Sequence, residues 1–306
     1  MNSARPALRL GALTVALSIL TGCTTASSIR TAPASGAGTP ISIVTSTDVW
    51  GSIATAIGGN HVRVTAIVSD PAADPHSYEA GPQNELAISR AAVIVENGGG
   101  YDDFMNRMIE AGAAKGTVLD AVRISGYPTA GAAFNEHVWY DFPTVAKVAK
   151  KIESVLSAID PADATAFATN AGVFTGKVAD LQRGQAHIRT TSAGVGVAIT
   201  EPVPLYLLQG AGLVNLTPSA FSEAVESDSD AAPAVVAQNR ALFTGKKVKA
   251  LIYNSQTTGP QTEQALAAAR ANGIPVVPVS ETLPSGTDYV GWMNTNLKAI
   301  AVAVSR

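Results

Sequence analysis

The stretch that decides the fold lies near the middle of the chain, where residues 143–187 read PTVAKVAKKIESVLSAIDPADATAFATNAGVFTGKVADLQRGQAH. Apolar residues recur there at helical spacing on both sides of Asp160-Pro161, a pair typical of a helix start. One predicted helix therefore ends at Ile159, and a second, with Asp160 as its N-cap, runs to about His187. At 1.5 Å per residue the second helix would be roughly 39 Å long. That length suits a spine, residues 161–188, running along two lobes.

Short β-branched runs alternate with helical patterns on both sides of this spine. The predicted strands are Ile41–Thr45, Val62–Val68 and Val93–Asn97 before it, and Val195–Thr200, Leu213–Leu216, Val248–Asn254 and Ile274–Val279 after it. Such alternation is typical of parallel sheets covered by helices. We therefore predict an α/β fold of two similar lobes, residues 41–160 and 189–306, each with a parallel-type sheet flanked by helices and joined by the single long spine helix.

Composition excludes several classes of protein. The chain has 306 residues, of which 46% are hydrophobic and 15% charged, so it can bury a core and is not intrinsically disordered as a whole. A single cysteine excludes a disulfide framework and a cysteine-rich zinc module. The formal charge of −3 gives no reason to expect a nucleic-acid partner.

The first forty residues read as an export and anchoring segment. Arg5 and Arg9 precede an apolar run, Leu10–Leu20, that is too short to span a bilayer. The run ends in Leu20-Thr21-Gly22-Cys23, which resembles the bacterial lipobox, in which the cysteine is diacylated and becomes the new N-terminus. We expect a signal peptide over residues 1–22, lipidation of Cys23 and a flexible tether over residues 23–40. The alternative is an ordinary signal peptide with a chance cysteine.

Two of the four histidines are candidate metal ligands. His76 follows a predicted strand and lies in a loop stiffened by two prolines. His137 lies directly before the helix predicted to end at Ile159, and Trp139 is placed to pack beneath the imidazole. His61 reads as a solvated loop residue, and His187, at the predicted end of the spine, reads as structural.

Two carboxylates occupy equivalent places in the second half. Glu201 and Glu281 each follow a predicted strand, and ligands of open α/β sheets collect beyond the carboxyl ends of strands. Two imidazoles with two carboxylates suit a borderline divalent transition metal, whereas Ca²⁺ prefers oxygen ligands throughout. The residues alone leave open that all four are ordinary polar loop residues.

Two other polar segments have patterns typical of turns and solvated loops. Asn97-Gly98-Gly99-Gly100 reads as a tight turn, and the acidic run Glu226, Asp228 and Asp230 reads as a solvated loop. The chain contains no nucleophile-elbow, zinc-protease or phosphate-loop motif, so no enzyme class is indicated.

Three segments together resemble a known family. DPHSYE at 74–79, NGGGYDDFM at 97–105 and NEHVW at 135–139 are similar to the metal-binding lipoproteins of bacterial ABC importers for zinc and manganese, the TroA-like family with a helical backbone. The resemblance extends from about Ile41 to the C-terminus. It implies two α/β lobes joined by one rigid helix, with one metal ion between them.

The resemblance also implies a ligand set. The family's first two ligands fall on His76 and His137, the third on Glu201 and the fourth on Glu281. Zinc-type members usually have histidine at the third position and manganese-type members glutamate, while the fourth is usually aspartate. The cargo that this implies is one Zn²⁺ or Mn²⁺ ion.

The sequence therefore predicts a solute-binding protein rather than an enzyme. We expect a monomer, lipid-anchored on the extracytoplasmic face of the cell membrane, that delivers its ion to an ABC permease and its ATPase. Two alternatives are an extracytoplasmic metallohydrolase that uses the same ligands and a metal-binding surface adhesin of the same fold. A metallohydrolase would keep one coordination position open for water.

Overall fold

The first lobe is built on a four-stranded parallel sheet. The computed structural model describes residues 39–71, 75–129 and 134–305. In chain order the first elements are β1 (Ile41–Thr47), α1 (Asp48–Gly58), β2 (Val62–Val68), α2 (Pro82–Arg90), β3 (Val93–Glu96), α3 (Asp103–Glu110), β4 (Thr117–Asp120) and α4 (Ala121–Ser125). The strand order is β2-β1-β3-β4, and every neighbouring pair is parallel.

Two helices lead from the first lobe to the second. They are α5 (Phe142–Ile159) and α6 (Ala164–Ser192). The side chain of Asp141 caps α5 by accepting a 3.1 Å hydrogen bond from the backbone N–H of Thr144, with Pro143 in the first turn.

The second lobe repeats the design of the first. Its elements are β5 (Gly196–Ile199), α7 (Leu205–Gly210), β6 (Val214–Asn215), α8 (Ser219–Glu226), α9 (Pro233–Thr244), β7 (Leu251–Asn254), α10 (Pro260–Ala271), β8 (Val276–Val279) and α11 (Tyr289–Val304). The order β6-β5-β7-β8 is that of the first sheet, and the strands are again parallel. The predicted pair of similar α/β lobes is confirmed.

The long helix is α6, with 29 residues, but its bounds differ from those predicted. The sequence predicts a start at Pro161 with Asp160 as N-cap, whereas α6 begins at Ala164 and Asp160 ends α5. A proline disfavours helical geometry at the residue before it, and Asp160 accordingly has φ −128° and ψ 84°. At the other end α6 continues past His187 to Ser192, shortly before Gly194 at φ +80°.

The main core runs through both lobes. The buried face of α6 carries the predicted apolar stripe and packs against α1, α5 and α11. Buried residues of both sheets and of these helices form one continuous cluster, and each lobe has a smaller cluster on the outer face of its sheet. Burial of this apolar surface is what holds the two lobes on the helical spine.

The signal peptide and the lipid anchor were predicted for residues 1–23, apart from the two lobes. Within the described ranges, no helix has both the length and the hydropathy that a bilayer-spanning segment requires. Cys23 and the predicted signal peptide, residues 1–22, lie outside the described residues.

Candidate metal centre

Three of the four predicted ligands follow the carboxyl end of a strand, and the fourth, His137, lies in the segment that leads to α5. In the first lobe His76 lies in a short 3-10 turn, Pro75–Ser77, after β2, and His137 directly precedes another, Val138–Tyr140. In the second lobe Glu201 and Glu281 each lie two residues beyond the end of β5 and β8. Because the carboxyl ends of parallel strands share one edge of a sheet, these side chains approach the cleft between the lobes.

His137 is fully buried and held in one orientation. The amide nitrogen of Asn135 donates a 3.0 Å hydrogen bond to the carbonyl of Pro202, so its Oδ1 accepts from the imidazole Nδ1–H at 2.6 Å. Nε2 of His137 is therefore directed into the cleft. The ring of Trp139 packs edge-on against the imidazole at 5.0 Å between centroids, as predicted.

His76 completes the first lobe's contribution. Its ring meets that of Tyr101 edge-on at 4.8 Å, and the centroids of the two histidine rings are 6.1 Å apart. The side chain of His76 keeps 27% of its surface exposed, whereas that of His137 keeps none. The pair thus presents one buried nitrogen and one at the mouth of the cleft.

Two carboxylates of the second lobe face these nitrogens. Glu281 Oε2 lies 3.6 Å from Nε2 of His76 and 3.8 Å from Nε2 of His137. Its other oxygen accepts a 2.8 Å hydrogen bond from the side-chain amide of Asn254. Glu226 Oε1 lies 3.5 Å and 3.4 Å from the same two nitrogens.

Glu226 is the residue that the sequence analysis missed. It was expected in a solvated acidic loop, but it is the last residue of α8, and its side chain is only 16% exposed. Ser222, one helical turn before Glu226, is also buried, so this side of α8 faces the protein interior. Among the described residues, the donor atoms of His76, His137 and Glu226 all lie within 4.8 Å of one another.

Glu201 is also buried in the second lobe. It is 4% exposed, and Oε2 has no hydrogen-bond partner among the described residues. Burial and the charge of Glu281 together raise the pKa of its carboxyl to about 7, although hydrogen bonds from Asn254 and Thr257 oppose the shift. Glu201 is therefore close to Glu281 but outside the compact group of three.

The buried groups of the cleft have shifted pKa values. Burial raises the pKa of the Glu226 carboxyl to about 8, although His137 opposes the shift. Burial alone would lower the pKa of His137, but the neighbouring carboxylates of Glu226 and Glu281 raise it to about 9. Burial also disfavours the Glu281 carboxylate, yet the neighbouring imidazoles of His137 and His76 lower its pKa. These groups therefore hold protons that a bound divalent cation would replace.

The other two histidines lie elsewhere. His61 Nδ1 is 2.6 Å from the carboxylate of Asp163, at the start of α6, and its ring meets Phe167 edge-on. His187 lies on an exposed part of α6. Among the described residues, neither is in the compact group of donor atoms, and His61 is paired with Asp163 instead of being solvated as the sequence suggested.

Comparisons with known proteins identify the relatives of this fold. A family model described as zinc-uptake complex component A, periplasmic (ZnuA), matches residues 43–303. The manganese-binding lipoprotein MntA of Halalkalibacterium halodurans is 29% identical over 146 residues, which are 47% of this chain. The match covers 48% of that protein, so the chain spans about half the length of this curated relative.

Solved structures show the same fold at low sequence identity. The periplasmic zinc-binding protein TroA of Treponema pallidum is 18% identical with a TM-score of 0.72, over 88% of this chain and 100% of TroA. A mutant of the laminin-binding adhesin Lmb of Streptococcus agalactiae is 19% identical with a TM-score of 0.72, over 86% and 99% of the two chains. These structures share the fold, and because the family model matches residues 43–303, the chain belongs to the ZnuA family, described as zinc-uptake complex component A, periplasmic.

Proposed function

We propose that the protein is the extracytoplasmic solute-binding component of an ABC importer, which captures one Zn²⁺ or Mn²⁺ ion and delivers it to a membrane permease and its ATPase. The observation that carries this proposal is the meeting of the two lobes in the cleft. Imidazole nitrogens of the first lobe and carboxylate oxygens of the second lie 3.4–3.8 Å apart.

The donor set supports a transition metal as the cargo. Two imidazole nitrogens with carboxylate oxygens suit borderline ions such as Zn²⁺ and Mn²⁺ better than Ca²⁺. His76 and His137 supply the nitrogens, and Glu281 and a second carboxylate, predicted as Glu201, supply the oxygens. The descriptions of the relatives agree with Zn²⁺ or Mn²⁺ as the cargo, since MntA is described as manganese-binding and TroA as zinc-binding.

Membership of this family supports metal binding, rather than hydrolysis, as the proposed function. Its description is that of an uptake component, and a cargo site needs only coordination and release. A metallohydrolase would also need an open coordination position beside a general base.

Metal-dependent stabilisation tests the proposal. An ion that binds only the folded state stabilises it by RT ln(1 + [L]/Kd), about 2.7 kcal/mol at a hundredfold excess over Kd. Zn²⁺ or Mn²⁺ should raise the melting temperature of the chelator-treated protein, and His137→Ala should lose most of that gain. His61→Ala, which alters a histidine far from the cleft, is the matched control and should keep it. Equal loss in both variants would contradict the assignment.

The membrane anchor is a separate part of the proposal. Cys23 is the proposed lipidation site because it ends the lipobox-like sequence, and the relative MntA is described as a lipoprotein. Fractionation of cells that express Cys23→Ala tests this point. The variant should leave the membrane fraction, and retention there after a salt wash would exclude Cys23 as the anchor.

A further inference from the structure

Asn254 lies between the two carboxylates of the second lobe that were predicted as ligands. It ends β7, whose neighbours in the sheet are β5 and β8, and Glu201 and Glu281 follow the ends of those two strands. The backbone N–H of Asn254 donates a 2.9 Å hydrogen bond to Oγ1 of Thr200, which fixes the end of the strand. Asn254 is 1% exposed, so its amide must find its partners inside the protein.

The neighbours of Asn254 set the orientation of its amide. The amide oxygen accepts a 3.2 Å hydrogen bond from the backbone N–H of Gln256, which leaves the nitrogen to face the carboxylates. That nitrogen donates to Oε1 of Glu281 at 2.8 Å and to Oγ1 of Thr257 at 3.2 Å. The side chains of Asn254 and Thr257 also hydrogen-bond the carboxylate of Glu201. One amide and one hydroxyl thus hold both acids.

These hydrogen bonds leave one oxygen of each carboxylate without a partner. Oε2 of Glu201 and Oε2 of Glu281 are both buried and accept no hydrogen bond within the described ranges. The second of these atoms lies 3.6 Å from Nε2 of His76 and 3.8 Å from Nε2 of His137. Burying a carboxylate oxygen without a donor is costly, and a cation that both oxygens contact would remove that cost.

A neutral donor suits the place that Asn254 occupies. Two neighbouring carboxylates repel each other, so hydrogen bonds are needed to hold them together in their charged form. A lysine or arginine would hold them as well, but its charge would oppose the binding of a cation. An amide and a hydroxyl donate hydrogen bonds without adding charge, so the negative charge of both acids is kept for the ion.

We propose that Asn254, together with the hydroxyl of Thr257, is a positioning residue that orients the carboxylates of Glu201 and Glu281 for metal binding. This inference rests on the proposed function and identifies what orders the oxygen donors of the second lobe before an ion arrives. It holds whichever of the two carboxylates contacts the ion, because the same amide hydrogen-bonds both.

Substitutions of Asn254 test this role through metal affinity. Asn254→Asp keeps the size of the side chain and the oxygen that accepts from Gln256, and Asn254→Ala removes the whole amide. Both should weaken Zn²⁺ and Mn²⁺ binding by roughly 10- to 100-fold, the usual cost of losing a partner that orients a ligand. Thr257→Val should also weaken binding. Competition with a chromophoric chelator measures these affinities.

Asn239→Asp is the matched control for these variants. Asn239 is a buried asparagine of the same lobe, on α9, and among the described residues it makes no hydrogen bond to either carboxylate. The control carries the same change of side chain in a similarly buried place, and it should bind both ions like the wild type.

Co²⁺ alone, used as a spectroscopic probe, separates positioning from a merely structural role. At saturating Co²⁺ the visible absorption of Asn254→Asp should differ from that of the wild type, because the carboxylates no longer meet the ion in the same way. A variant that binds weakly only because it is less stable would show the wild-type spectrum once saturated. That result, or wild-type affinity for both ions in either Asn254 variant, would overturn the inference. If the wild type binds none of these metals, the proposed function itself fails, and this inference fails with it.

Discussion

The imidazole of His137 shows how one residue is prepared for its task by its neighbours. Asn135 fixes the Nδ1–H tautomer, while Trp139 closes one side of the ring. The same asparagine donates to the carbonyl of Pro202 in the second lobe, so the orientation of the imidazole depends on the contact between the lobes. A nitrogen placed in this way would need no reorientation to bind an ion.

Metal binding should release protons from these residues. The pKa values of Glu226 and His137 are raised to about 8 and about 9, so the metal-free cleft holds at least one proton at pH 7. Coordination requires the deprotonated groups, so affinity should rise with pH, by up to about tenfold per unit for each proton displaced. The rise should end once the pH exceeds these values. Calorimetry of Zn²⁺ binding in buffers of different ionisation enthalpy counts the protons.

His61→Ala should release the same number of protons as the wild type, because His61 is paired with Asp163 away from the cleft. Binding at pH 7 with an enthalpy independent of the buffer would show that no proton is displaced, against this expectation.

Some residues of the site could be predicted from sequence, and one could not. His76 and Glu281 each follow a β-branched run, so strand-end reasoning is enough to place them at one sheet edge. Glu226 ends a helix, and its position depends on how α8 packs over the second sheet, which no local pattern determines. An acidic run is also most often solvated, and Asp228 and Asp230 are indeed exposed.

At the scale of elements, helices and strands with a regular apolar pattern were predicted, whereas one short strand was missed. The seven predicted strands all form, with ends displaced by up to three residues, whereas the four-residue β4 was not predicted. The buried stripe of α6 was predicted because its apolar spacing is regular, although the helix starts later than expected. The glycines of α6 lower its intrinsic helix propensity, so its stability comes mainly from the packing of its apolar face.

Two of those glycines allow a test of the helix. Gly172 and Gly176 lie on the exposed side of α6, and an added Cβ would meet nothing within 4 Å at either position. Gly172→Ala and Gly176→Ala should each raise the free energy of unfolding by about 0.5–1 kcal/mol, because alanine loses less backbone entropy in a helix. Urea unfolding of the metal-free protein measures the change.

Gly58→Ala at the end of α1 provides the contrast. There the added Cβ would lie 2.2 Å from Cγ1 of Val62, so this variant should be less stable than the wild type. A loss of stability in the α6 variants as well would show that the exposed face of the helix has an unrecognised partner.

At the scale of the whole molecule, two sheets of the same strand order present their carboxyl ends to one cleft. Each lobe would supply only part of the proposed ligand set, so we expect an ion to bind tightly only when both lobes are in place. Hydrogen bonds between the lobes therefore bear on how long an ion is held. Tyr140 donates to the carbonyl of Ser280 at 2.8 Å, and Tyr289 donates to that of Trp139 at 2.7 Å.

Gln256 links the segments that carry His76 and Glu281, two of the proposed ligands. Its amide nitrogen donates to the carbonyl of Pro71, in the segment that leads to His76, at 2.9 Å. Its amide oxygen accepts from the backbone N–H of Glu281 and, at 3.3 Å, from that of Thr282. One side chain thus connects the His76 segment with a ligand of the opposite lobe.

Removing this link should affect the release of metal more than its capture. Gln256→Ala leaves the donor groups in place but removes hydrogen bonds worth about 0.5–1.5 kcal/mol each, so dissociation should accelerate roughly 2- to 13-fold for each bond lost while association changes little. Stopped-flow mixing of the Zn²⁺-loaded protein with excess chelator measures the release rate. Gln185→Ala is the matched control, because Gln185 donates to the carbonyl of Leu207 at 3.0 Å, away from the cleft, and its loss should leave release unchanged. If Gln256→Ala releases the ion at the wild-type rate, the ion is held by its ligands alone, and closure of the two lobes does not limit its escape.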